Sequence, residues 1–288
     1  MMKKRLDVPK TYKIYIGGKF PRSESGRYYL LKGKNKKPIA NICRGSRKDF
    51  RNSVVAARKA FLDWSGRTAY NRGQILYRIA EMLEGRREQF ISEVRLQGDS
   101  AAMAEKEVNI SIDRFIYYAG WADKYLQLFS SVNPVASPHF NFSVPEPTGV
   151  VAMIAPEESG LLGLVSIIAP VIVGGNTCVV LASHSKPLCA ASFAEVLHSS
   201  DVPGGVVNIL TGIRSELLDN FSTHMDVNAV IYCGDNKIES KRVMENSSLN
   251  VKRPHIIKTR DWTKEKAQDP YQILDTQEIK TTWHPIGI

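Results

Sequence analysis

The sequence predicts an α/β fold: a doubly wound parallel sheet, preceded by a helical block and followed by a small arm that ends in a short strand. Three observations predict it. Between Val150 and Ile257, short and fully apolar strands alternate with helical segments, a pattern that places helices on both faces of a parallel sheet. Between Arg47 and Phe129, apolar residues recur at helical spacing. At the C-terminal end, Ile279-Lys280-Thr281-Thr282-Trp283 has strand character with nothing after it to pair with.

The elements follow in order. Tyr12 to Phe20 alternates and turns at Gly17-Gly18, so it reads as a strand entering a hairpin. Val54, Val55, Ala57, Ala60 and Phe61 share one helical face, and Ile75, Leu76, Ile79, Met82 and Leu83 share the next. Leu96-Gln97-Gly98 ends a third helix, and Phe115 to Phe129 forms a fourth with Trp121 and Leu126 inward. The sheet strands are Val150–Ala155, Cys178–Leu181, Val206–Ile209, Ala229–Tyr232 and His255–Ile257. Helices fill the intervals, Leu161–Val173, Pro187–Leu197, Ser215–Phe221 and Asn236–Asn246. Proline in the first turn of the second of these suits a helix start.

The composition sets limits. With 288 residues, 43% hydrophobic and 24% charged, the chain can bury a real core. The net charge of +10 raises the question of nucleic acid, and its distribution answers it. Residues 1–100 hold 24 Lys+Arg and 9 Asp+Glu, a net +15 that the rest of the chain partly cancels. These basic residues are dispersed over helix faces and accompany no nucleic-acid motif, so no nucleic-acid partner is expected. The N-terminal 1–7 run is positive, but Asp7 and Pro9 interrupt any apolar signal core. No Asp, Glu, Lys or Arg occurs from Ser159 to Ser185, yet Pro170 and Gly174-Gly175-Asn176 divide that stretch into a short helix and a strand. No membrane partner is expected. Cys43, Cys178, Cys189 and Cys233 show no ligand or disulfide spacing, which fits reduced thiols and a cytoplasmic location.

Such folds take ligands at the carboxyl ends of their strands. Those ends here are Pro156-Glu157-Glu158-Ser159-Gly160, Ala182-Ser183-His184-Ser185 and Cys233-Gly234-Asp235-Asn236. None opens on GxGxxG or GxxxxGK[ST]. From Pro147 to Asp235 there are 2 Lys+Arg, Lys186 and Arg214, against 8 Asp+Glu, a poor setting for a pyrophosphate. Glu157, Glu158 and Asp235 are expected as caps and dipole partners in first helical turns. Adjacent Glu157 and Glu158 point apart and make no acid–base pair. The spacing of His184 and Cys189 suits neither a helix face nor a strand face. Cys233, at a strand end near a helix start, is the thiol best placed for a lowered pKa, although an inert buried cysteine is the plainer expectation. No metal site and no catalytic set emerges.

Several runs together carry a resemblance. Tyr15-Ile16-Gly17-Gly18, then Phe61-Leu62-Asp63-Trp64, resembles the opening of aldehyde dehydrogenases, and Glu146-Pro147-Thr148-Gly149-Val150-Val151 resembles their strand into the cofactor domain. Ala169-Pro170 through Gly174-Gly175-Asn176-Thr177, Val202 to Asn208, and Val230-Ile231-Tyr232-Cys233-Gly234 resemble that family's "AP-AL-AAGN-T", "PPGVVN" and "ITFTG" runs, in order and spacing. The resemblance covers about residues 12–257 and implies a cofactor-type domain over 1–257, with 12–20 and 138–147 adding strands to the arm. It also implies that 258–288 is a linker and C-terminal strand similar to "VKTVW", in which Ile279, Thr281 and Trp283 mediate oligomerisation.

The functional positions depart from the family. Pro156 to Gly160 aligns with "PWNFP", so Glu158 stands at the oxyanion-donor Asn, and an ionised carboxylate donates no hydrogen bond. Ala182-Ser183-His184-Ser185 replaces the "KPSE" that holds the adenosine ribose. After Gly234, Asp235 replaces the phosphate-facing Ser and Glu239 the last Gly of "TGSTEVG". The general-base Glu of "ELGG" has no counterpart between Asn246 and Lys264, and no Cys follows Cys233. The catalytic domain is expected to be absent. The resemblance is to the cysteine-less second half of the two-part aldehyde dehydrogenase type. Pro156, Glu158, Ala182, Gly234 and Asp235 are then degenerate cofactor-loop positions. The expectation is a non-catalytic subunit that binds neither NAD nor NADP well and assembles with itself or with a complete aldehyde dehydrogenase. The alternatives are an NAD(P)-dependent oxidoreductase acting on aldehydes, or nucleotide binding without turnover.

Overall fold

In the computed structural model the described residues are 9–33 and 36–287, so the N-terminal 1–7 run read for a signal lies outside them. Three sheets organise the chain. The first holds β1 (Thr11–Tyr12), β2 (Tyr28–Lys32) and β3 (Pro38–Cys43) in the order β1-β3-β2. Five helices follow: α1 (Arg47–Gly66), α2 (Ala69–Glu84), α3 (Arg87–Leu96), α4 (Ala101–Trp121) and α5 (Tyr125–Phe129). Ser46 starts α1 through a reciprocal capping box with Asp49. The apolar faces of these helices bury Phe50, Val54 and Trp64, then Ile75, Leu76, Ile79 and Leu83, then Phe115 and Tyr118.

The central sheet is fully parallel. Its strands are β6 (Val150–Ile154), β7 (Thr177–Leu181), β8 (Val207–Leu210), β9 (Ala229–Cys233) and β10 (Arg253–Ile257), in the order β10-β9-β6-β7-β8. Between them run α6 (Leu162–Val173), α7 (Leu188–His198), α8 (Arg214–Thr223) and α9 (Lys237–Ser248). Strands β6, β7 and β9 are buried at every position, because helices cover both faces. One core joins α2–α4, α6 and α7 to Val151, Met153 and Val180, and another joins α1 and α8 to Ala152, Val179 and Val230. The alternation of side chains along each strand sends residues to one core or the other.

The arm is a third sheet of β4 (Ser131–Asn133), β5 (His139–Pro147) and β11 (Gln277–Pro285), in the order β11-β5-β4. Three expectations are corrected here. Residues 12–20 add nothing to the arm: β1 pairs with β3, and Tyr15 forms an isolated bridge to Ile209 of the central sheet. Alternation marks a strand but not its partner. Second, the C-terminal strand does have a partner, β5, which precedes the whole central sheet in the chain. Third, the segment after Ile257 is packed structure, not a plain linker. It contains a short 3₁₀ turn and α10 (Tyr271–Leu274), and it buries Trp262, Ala267 and Ile273.

Among the described residues, no helix is long and apolar enough to cross a membrane. The apolar stretch from Ser159 is α6 followed by β7, as its Pro and Gly residues imply.

Candidate functional site

The carboxyl ends of β6 and β9 open on a cleft of about 310 Å³, lined by Glu157, Glu158, Arg214, Tyr232, Cys233 and Asp235 among others. Hydrogen-bond donors at three places could meet an anion there, and each set already has an acceptor from the same chain. At the start of α6, Glu107 of α4 supplies one carboxylate oxygen to the Leu161 N–H (2.9 Å), the Leu162 N–H (3.1 Å) and the Ser159 hydroxyl (2.9 Å). At the loop after β7, Glu157 accepts from the N–H groups of His184 (3.0 Å) and Ser185 (3.2 Å) and the hydroxyls of Ser183 (3.0 Å) and Ser185 (3.1 Å). At the start of α9, Asn236 accepts from the N–H groups of Ile238 (3.0 Å) and Glu239 (3.2 Å).

Arg214, at the start of α8, lines the cleft. Its guanidinium donates to the Ala155 carbonyl (2.7 Å), lies 3.5 Å from Glu157 and 3.7 Å from Glu239, and sits 5.4 Å from the centre of the Tyr232 ring. The Tyr232 hydroxyl donates to Glu239 (2.7 Å), and burial followed by that neighbouring carboxylate raises its pKa. Gly234 makes the arrangement fit: its φ is +152°, and a Cβ there would stand 3.1 Å from both the Arg214 guanidinium and the Tyr232 hydroxyl. The cleft thus sets one guanidinium against two carboxylates and a phenol.

The sequence-singled residues fall as follows. Glu157 caps a loop across the sheet instead of a helix start. Glu158 accepts from the Trp262 indole N–H at 2.9 Å. Asp235 accepts from the Thr259 N–H at 3.1 Å and leaves the α9 cap to Asn236. Ala182 is buried and donates its N–H to the Leu210 carbonyl, in continuation of the sheet. Pro156 packs on Gly163, where a Cβ would come within 2.3 Å of its ring. Cys233 lines the cleft, but burial pushes its thiol up to about 12, so it holds its proton near neutral pH. His184 stacks on Tyr29, and its ring nitrogen Nδ1 lies 3.2 Å from the Gly212 carbonyl. Cys189 is wholly buried against Gln97, and its thiol pKa too is raised by burial.

Two members of the network were missed. Arg214 is one of only two basic residues between Pro147 and Asp235, and that rarity was the available signal. Glu107 left none, because it lies 54 residues from the Leu161 N–H it bonds.

At the arm, Ile279 and Trp283 are each 56% exposed. The Thr281 hydroxyl pairs with that of Ser143 at 2.8 Å, and Lys280 makes an ion pair with Glu146. Strand β11 pairs with β5 along one edge and is the outermost strand of its sheet, with Gln277 buried, Glu278 half-buried and every residue from Ile279 to Pro285 exposed.

Comparison with known proteins places this fold. The model of the aldehyde dehydrogenase family matches residues 20–256. The chain belongs to the aldehyde dehydrogenase family. It is 31% identical over 258 residues to mouse cytosolic 10-formyltetrahydrofolate dehydrogenase, an alignment covering 87% of this chain and 28% of that protein. It is 30% identical over 243 residues to an Aspergillus niger aldehyde dehydrogenase, covering 83% of this chain and 48% of that one. Among solved structures, Pseudomonas PnpE superposes with a TM-score of 0.81 at 28% identity, covering 85% of this chain and 50% of that one. A Bacillus cereus aldehyde dehydrogenase superposes with the same TM-score at 25% identity, covering 86% and 50%. The chain therefore spans half or less of the length of these aldehyde dehydrogenase relatives. Within the family's fold, the strand ends hold Glu157, Arg214 and Glu239 against one another, and Glu158 against Trp262.

Proposed function

We propose that this aldehyde dehydrogenase family member is non-catalytic and serves as a structural or regulatory subunit, assembling through its arm with a second copy or with a complete aldehyde dehydrogenase. The observation that carries this reading is the internal pairing of the cleft's helix-start and loop donors. A dinucleotide needs free donors at helix starts and room for its phosphates. Here those donors face Glu107, Glu157 and Asn236, and the Arg214 guanidinium lines the cleft between Glu157 and Glu239. The residues present do not fit NAD or NADP. The exposed outer edge of β11 supports assembly, since an open strand edge is a template for another strand. Four buried, unpaired cysteines support a reducing, cytoplasmic setting.

The test has two arms. Light scattering after size-exclusion chromatography, on the protein alone and mixed with a complete family member, is expected to show a dimer or mixed oligomer. A monomer that ignores both partners would remove the assembly reading. Thermal shift with NAD+ and NADP+, and turnover assays with simple aldehydes, are expected to show no change. Turnover would establish the oxidoreductase alternative, and a shift without turnover would establish residual nucleotide binding.

A further inference from the structure

The chain from Thr259 to Thr276 leaves the carboxyl end of β10, meets the cleft at Thr259 and then crosses the face of α4 and α6 on its way to β11. Its apolar anchors Trp262, Ala267 and Ile273 are 3%, 1% and 0% exposed, all within the core shared with α6. Its polar anchors come from α4. Arg114, 1% exposed, donates to the Trp262 carbonyl (3.0 Å), the Ala267 carbonyl (2.8 Å) and the Ser166 hydroxyl (2.7 Å). The Tyr118 hydroxyl lies 3.2 Å from the Gln272 side-chain oxygen and accepts from the Asp269 N–H at 3.4 Å.

On the cleft side two polar contacts hold the segment: Asp235 accepts from the Thr259 N–H (3.1 Å) where it leaves β10, and Glu158 accepts from the Trp262 indole (2.9 Å), with the Arg260 guanidinium 4.3 Å from the indole. Arg114 answers its segment with neutral carbonyls and no carboxylate, and burial lowers its pKa. Asp235 holds the backbone at the start of the segment, and Glu158 holds a side chain of its first turn. Cys233 lies beside it in the cleft wall, 1% exposed.

We propose that residues 259–276 form a latched strap that meets the cleft at Thr259, and that Glu158 is its catch. The proposal rests on the reading of this cleft as non-catalytic, because it gives the position aligned with the family's oxyanion donor a holding role. Glu158 acts through Trp262, and so is a positioning residue. When the catch is lost, the indole loses its acceptor, the strap's first turn opens, and solvent reaches Cys233.

The experiment uses the full chain. The rate at which iodoacetamide labels Cys233, located by peptide mass mapping, is measured together with amide exchange over 259–276. Glu158→Ala and Trp262→Phe are expected to raise both rates at least tenfold. Glu158→Gln keeps an acceptor oxygen and is expected to stay within twofold of the unaltered protein. Equal rates in all four proteins would overturn the latch, as would Glu158→Gln behaving like Glu158→Ala. Amides of β6 and β9 serve as the internal control: if they accelerate equally, Glu158 supports the whole fold and the strap has no separate latch. Failure of the non-catalytic reading registers elsewhere, as NAD(P)-dependent turnover by the unaltered protein.

Discussion

The cleft and the arm edge are opposites. In the cleft, the donors at the starts of α6 and α9 and at the loop after β7 meet acceptors from their own chain, and a guanidinium sits between two carboxylates. On β11, the side chains stand in solvent and the strand is hydrogen-bonded along one edge only. The difference shows where free binding capacity lies. Polar groups that satisfy one another present little to a ligand, because any newcomer must first break what is already made. An unpaired strand edge keeps its backbone donors and acceptors available. In this chain the strand-end cleft of an aldehyde dehydrogenase fold is internally paired and the outer edge of its arm is open.

The largest expected effect falls on the residue that joins the two regions. Asn176, fully buried, accepts from the Gly149 N–H (2.8 Å) and donates to the Thr276 carbonyl (2.9 Å), linking the root of β6 to the root of β11. Asn176→Ala leaves those buried groups unpaired and is expected to cost about 2–4 kcal/mol in denaturant unfolding. A cost below about 1 kcal/mol would mean that arm and sheet are not joined there.

Next comes the cleft itself. Glu157→Ala removes the acceptor of the loop after β7 and frees Arg214 from one of its two carboxylates. With 39% of that side chain exposed, water takes up part of the loss, and about 1–2 kcal/mol is expected. If the cleft is internally paired, an unchanged stability would break the comparison.

A pH dependence tests the strand between the two regions. Lys252, just before β10, is 5% exposed and donates to the His224 carbonyl at 2.8 Å. Burial pushes its pKa down from 10.5 to about 8. The folded chain then binds fewer protons than the unfolded chain between those values, so unfolding takes up a proton. Stability therefore rises with pH from about 8 to 10.5, by about 1–2 kcal/mol, and Lys252→Met is expected to flatten that rise. A slope surviving in Lys252→Met would assign it to another group.

The smallest effect on stability belongs to the arm. Ile279→Lys and Trp283→Lys alter exposed side chains, so unfolding is expected to change by no more than about 0.5 kcal/mol. Assembly, by contrast, is expected to weaken at least tenfold, as measured by the concentration dependence of light scattering. Loss of fold stability without loss of assembly would invert the contrast.

The sheet was legible because its strands are continuous apolar runs that only a doubly covered parallel sheet can bury. The sequence places each of those strands within two residues of its observed bounds, as with Val150–Ala155 against Val150–Ile154. That a carboxylate stands at Glu158 and that Ala182 to Ser185 carries neither Lys nor Glu was legible too. What these residues touch was not. The partners of Glu157 are 26 to 28 residues away, that of Glu158 104 and those of Glu107 52 to 55, distances over which no local periodicity speaks. The strap hid for another reason: its charged composition reads as a linker, while three spaced apolar residues and a distant buried arginine give it structure.

The placement of the arm has a mechanical consequence. Its root is tied to Gly149 and Asn176, at the amino ends of β6 and β7, whereas the cleft lies at the opposite ends of those strands. Five residues of strand separate them, about 17 Å. A partner that pulls on β11 loads the sheet at the end away from Arg214 and its carboxylates. The fold behaves as a beam clamped at one end, with its working cavity at the other. Force or occupancy at the arm reaches that cavity only along the chain, through β6 from the arm strand β5 or by the strap from Thr259 to Thr276.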